Sequence, residues 1–123
     1  MMQAETISAD NFSTIDFYYN YFKFCTFEGL SPEGGSVDSD FHDCTFKTID
    51  WYWGLFTICS FVKCRFTDCV FRGASVSGCL FVECTFTNCQ FVKDNLGGEC
   101  DFDGTVAYGC SLEGTAGFEA ILR

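Results

Sequence analysis

The 123-residue chain holds one histidine, one proline, and seven basic residues against seventeen acidic ones. Each shortage excludes something. With His42 alone, there is no histidine pair for zinc and no recognisable base beside a nucleophile. The cysteines stand five or more residues apart, so the close Cys-x-x-Cys pair of a zinc or redox site is missing. A glycine-rich phosphate loop is missing as well. Polar residues interrupt every apolar run, which excludes a membrane-spanning helix of about 20 residues. No charged segment followed by an apolar stretch opens the chain, so no signal peptide is expected, and ten unpaired thiols point to a reducing cytosol. A formal charge of −10 opposes contact with nucleic acid phosphates and favours a basic protein partner. Neither an enzyme nor a bound cofactor is expected.

What the chain has is a period. From Phe41 an apolar residue recurs at every fifth position through Phe46, Trp51, Phe56, Phe61, Phe66, Phe71, Val76, Phe81, Phe86, Phe91 and Leu96. Two residues ahead of most of these stands a cysteine or another small residue: Cys44, Cys59, Cys64, Cys69, Ala74, Cys79, Cys84, Cys89. Five fits neither the 3.6 of a helix nor the 2.0 of a long strand, so the backbone turns a corner once per unit and winds into a coil.

The unit, Cys-x-Phe-x-x, resembles the pentapeptide-repeat family, whose unit is a small residue, then Asp or Asn, then Leu or Phe, then two variable positions. The chain differs in using Cys where the family more often has Ala. The resemblance implies an all-β, right-handed quadrilateral parallel β-helix, four units per square turn, with the small residue and the central Phe inward. Twenty units then give about five coils and a rod roughly 24 Å long.

At twenty residues per coil the inward columns read Phe41, Phe61, Phe81, Phe102; Phe46, Phe66, Phe86; Trp51, Phe71, Phe91, Leu112; and Phe56, Val76, Leu96, Gly117. The cysteines align as Cys44, Cys64, Cys84; Cys59, Cys79, Cys100; and Cys69, Cys89, Cys110, with Cys25 apart. Side chains stacked near the strand spacing of about 4.8 Å are too far apart for disulfides, so these thiols are expected to be buried spacers. Two offsets interrupt the register. An N-terminal extension or cap over 1–11 precedes a first set of units at Phe12, Phe17, Phe22 and Phe27, and the sole proline, Pro32, lies in a predicted loop over 28–40. A one-residue bulge is predicted at 97–99. The one inward acid, Asp94, is expected to bond backbone amides there. Residues 118–123, with Phe118, Ile121 and Leu122 at helical spacing, read as a C-terminal cap.

Charge and exposed aromatics point to function. Residues 1–50 carry −7, 51–93 carry +2 and 94–123 carry −5. With Trp51, Gly54 and Phe56 inward, Tyr52, Trp53, Leu55 and Ile58 must face outward, and Tyr18, Tyr19, Tyr21 and Phe24 repeat the theme. Large outward apolar side chains mark a contact surface, either of a homodimer or for a different protein. Asp101, Asp103 and Glu113 form a candidate acidic end. The resemblance implies two uses: inhibiting or neutralising a partner, as a toxin-immunity protein does, or protecting DNA gyrase by imitating duplex DNA. A structural homo-oligomeric module is the third reading.

Overall fold

The computed structural model describes residues 1–118, so Ile121 and Leu122 of the expected cap lie outside the described residues. The chain is a parallel β-solenoid of about five turns, without an α-helix among the described residues and with one 3-10 turn at Phe12–Thr14. Four faces follow one another around each coil. The first stacks the strands Met2–Gln3, Tyr18–Lys23, Ser36–His42, Ser60–Val62, Leu80–Val82 and Val106–Tyr108. The second stacks Thr6–Ile7, Thr26–Leu30, Thr45–Tyr52, Arg65–Thr67, Thr85–Thr87 and Ser111–Glu113. The third pairs the end of Thr45–Tyr52 with Val70–Arg72 and Gln90–Val92, and the fourth pairs the start of Ser36–His42 with Leu55–Thr57 and Ser75–Ser77.

The five-residue unit closes because its last corner is left-handed. Two residues after each central side chain the backbone sits at φ 51–57° in eleven non-glycine residues, Trp53, Ile58 and Lys63 among them. From there the amide donates to the next coil, as from Ile58 N–H to the Ser77 carbonyl at 2.9 Å. The central rings stack along the rod. Phe41, Phe61 and Phe81 lie 4.8 and 4.7 Å apart between centroids and within 5° of parallel, and Phe46, Phe66 and Phe86 are 4.6 Å apart. Rings of adjacent columns meet edge to face, as Phe41 does with Phe46 at 67°. Such pairs add about 0.5–1.5 kcal/mol each to their burial.

The small inward residues are more than spacers. Each thiol donates to a main-chain carbonyl of the preceding coil: Cys84 to Phe61 at 3.2 Å, Cys79 to Phe56 at 3.3 Å, Cys89 to Phe66 at 3.3 Å. Hydroxyls take the same role at Ser39, to Phe17, and at Thr105, to Val76, both at 2.8 Å. All ten cysteines are free and eight are buried. Within the columns the stacked thiols push one another apart in pKa, Cys59, Cys64 and Cys69 up and Cys44, Cys79, Cys84 and Cys89 down, while burial first, with nearby acidic groups, pushes Cys25 and Cys100 up. Thiolate is the reactive form. Burial keeps reagent from eight of the ten thiols whichever way they titrate, so the native protein is expected to react slowly with a thiol reagent, Cys100 and Cys110 first, and to release the eight buried thiols together on unfolding. Rapid native labelling of the buried eight, or disulfides in the mass spectrum, would contradict this packing.

Three boundaries differ from the sequence reading. First, the solenoid begins at Met2 rather than Phe12: Met2 pairs with Phe22 and Ile7 with Phe27, and Ile7 is buried at the head of the second column. Second, 28–40 is wall rather than loop. Val37, Ser39 and Phe41 alternate inward along one continuous strand that runs through the corner. The shift in register falls instead on Tyr19 and Asn20, since Tyr18 pairs with Asp38 but Tyr21 with Asp40. Pro32 and Gly34 join the third face by bonding Tyr52 through the main chain at 3.1 and 2.6 Å.

Third, the bulge at 97–99 is a six-residue excursion. Phe66 and Phe86 pair at a spacing of 20, but Phe86 pairs with Leu112 and Phe81 with Ala107, at 26. Leu96 is therefore 85 % exposed rather than inward. Phe102 moves to the fourth face beyond Val76, because Ser75 bridges to Asp101. Cys100 and Cys110 move too: Cys100 bonds the Phe71 carbonyl, and Cys110, bonding Phe81, joins the Cys44 column that Cys25 heads. At the C-terminal end Phe118 is wholly buried against the rings of Phe86, Phe91 and Phe102.

Candidate protein-binding surface

The corrected register gathers residues that the sequence scatters. Leu55 pairs with Ser75, and Ser75 with Asp101, so Leu55, Ile58, Asp101 and Asp103 all belong to the fourth face and its edge. Leu55 is 48 % exposed and Ile58 76 %. Ile58 is a β-branched residue at φ 51°, a conformation that costs an L-residue about 1–2 kcal/mol and a β-branched one more. One coil further on, the same corner is Gly78, and in the next it is Gly104, both at positive φ without that cost.

Trp53 closes the other edge of this face. Its indole N–H donates to Asp94 Oδ2 at 2.7 Å, across Gly73, where a Cβ would come within 2.7 Å of the same carboxylate oxygen. The other oxygen of Asp94 accepts the amides of Leu96 and Gly98, each at 2.8 Å. Asp94 thus faces outward rather than inward, while bonding the main chain as its sequence context suggests. The Gly98 amide and the Trp53 indole hold its carboxyl below the usual range. Trp53 is thereby a latch on the 93–98 excursion as well as an exposed ring.

The remaining candidates separate. Tyr18 and Tyr19, both exposed with rings 4.3 Å apart, stand at the first turn of the fourth face. Tyr21 is half-buried on the first face and stacks on His42, and Phe24 lies at the next corner under the Lys23 ammonium. Tyr52 is on the third face under the Arg72 guanidinium, which bonds both oxygens of Asp50. Glu113 is on the second face beside Thr87. A further apolar strip escaped the sequence reading: Val62, Leu80, Val82, Val106 and Tyr108 point outward on the first face. Its signal was present in Leu-Phe-Val and Val-Ala-Tyr. These side chains cover one another across adjacent strands and, Tyr108 apart, are half-buried, which is ordinary sheet stabilisation. In the next coil Leu55 and Ile58 have only Ser75, Ser77 and Gly78 beside them.

Among the described residues no group of three or more His, Cys, Asp or Glu is placed to hold a metal ion, and no helix is long and apolar enough to cross a membrane. A coil whose turns contact only their neighbours, with shape and charge on its faces, defines a repeat protein of the β-solenoid class. Residues 59–96 match the family model for pentapeptide repeats in eight copies. Over those residues, about a third of the chain, the coil is similar to the pentapeptide-repeat family. Comparison with curated proteins finds no significant match.

Proposed function

We propose that this protein works by binding another protein through its fourth face, as an inhibitor or neutralising protein of the immunity type acting in a reducing cytosol. One observation carries the reading: Ile58 spends backbone energy to hold an aliphatic side chain in water, beside an exposed Leu55, where the two following coils use glycine. Imitation of duplex DNA is the weaker use, because Lys47, Lys63 and Arg65 interrupt the acidity of the rod around its second face. Leu55→Ser tests the reading, since it touches no inward site. The variant should keep the wild-type melting temperature and circular dichroism and fail to capture the protein that co-purifies with the wild type. Association retained at the wild-type level would overturn it.

A further inference from the structure

We infer that the partner segment seated on the fourth face is a basic amphipathic helix, an apolar stripe flanked by Lys or Arg. This deepens the binding reading above and rests on it. The apolar row of Leu55 and Ile58 has carboxylates on both sides. Asp38 lies on the strand between Tyr18 and the Leu55–Thr57 strand, and its Oδ1 is out of water with no hydrogen-bond partner. Asp101 and Asp103 lie two strands away on the other side, exposed and in no ion pair among the described residues. One strand spacing on one side and two on the other set the acidic rows about 14 Å apart, within reach of cations that flank the apolar stripe of a helix about 10–12 Å across.

The floor between the rows suits such a guest. It consists of Ser75, Ser77 and Gly78, and a Cβ built on Gly78 would meet only Ile58 Cγ1, at 3.6 Å. A helix lying along the strands here sets its apolar stripe on Leu55 and Ile58. Its flanking cations reach Asp38 on one side and Asp101 and Asp103 on the other. Charge also excludes a second copy of this face as the occupant. The outward positions from Tyr18 and Asp38 through Leu55, Thr57, Ser75 and Ser77 to Asp101 and Asp103 include no lysine, arginine or histidine. Two such faces would oppose acid to acid.

The test uses the full chain at about 0.15 M salt, where exposed charges more than about 8 Å apart are screened. The probe is a helical peptide of about 18 residues, long enough to hold a helix in water, with a leucine stripe flanked by lysines, and a counterpart with glutamates in place of the lysines. Calorimetry should show binding of the lysine peptide alone. Affinity should fall about tenfold or more in Leu55→Ser and in the Asp101→Asn/Asp103→Asn double variant, and by less than about twofold in Glu28→Gln/Glu113→Gln on the second face. Equal losses in the second-face variant would reduce the binding to attraction by net charge and overturn the inference. Equal binding of the glutamate peptide, or no binding of the lysine peptide, would do the same. If Leu55→Ser still abolishes association with the native partner while the lysine peptide fails, the docking face stands and only the partner's class is wrong. If Leu55→Ser leaves native association intact, the docking reading itself falls.

Discussion

Phe66→Ala is expected to lower stability by about 3–5 kcal/mol, while Thr67→Ala, one residue along the same strand, changes it by less than about 0.5 kcal/mol. Phe66 is buried, with the parallel rings of Phe46 and Phe86 each 4.6 Å away on either side and Phe61 at 5.6 Å in the adjacent column. Truncation removes two stacked pairs and leaves a gap bounded by two rings. The main chain there is fixed by ladders to the strands above and below, so the walls cannot collapse into it. Thr67 faces outward and is half-buried. Urea titrations of the two variants read the difference directly. Equal and small losses would mean that the ring columns do not carry the fold.

Phe118→Ala is expected to cost a similar amount, about 3–5 kcal/mol, but in a different place. Phe118 stops the open end of the rod, touching Phe81, Phe86, Phe91 and Phe102 at centroid distances of 4.4–5.7 Å. Without it four rings face water. Because coils contact only their neighbours, the loss should begin at that end. Amide exchange should accelerate first in Val106–Tyr108 and Ser111–Glu113 and least in Thr26–Leu30. Phe118→Leu should restore most of the protection. Uniform acceleration along the chain, or none, would show that Phe118 is not the plug.

The period of five made the coil, its inward rings and its inward thiols legible in the sequence, because burial repeats with the backbone corner. What it could not settle is the size of an interruption. An excursion of six residues and a bulge of one leave the same phase in a five-residue repeat, so Leu96 reads as an inward residue in sequence and stands in water in the fold. That ambiguity moved Phe102 and Leu112 by one face and separated Asp101 and Asp103 from Leu55. The binding surface could be read in pieces but not assembled. The start was misplaced for a related reason: Met2 and Ile7 hold the five-residue spacing without an aromatic or a cysteine. Trp53 was legible as outward, but its bond to Asp94 was not, because it spans 41 residues and depends on that excursion. The left-handed corners were invisible as well. Five of the eleven non-glycine corners carry Asp, Lys, Glu or Asn, which disclose no strain, and the β-branched Thr48 and Ile58 and the aromatic corners stand out once the backbone is seen.

The claim that Ile58 is held for binding rather than for folding is tested most directly by Ile58→Gly, with stability and association measured on one preparation. Relief of the left-handed strain, about 1–2 kcal/mol, outweighs the added chain entropy of glycine, about 0.5–1 kcal/mol. The variant should therefore be more stable than the wild type by up to about 1 kcal/mol and should lose association. A variant that is less stable, or that binds as the wild type does, would contradict the account, because Ile58 would then serve the solenoid and not its partner.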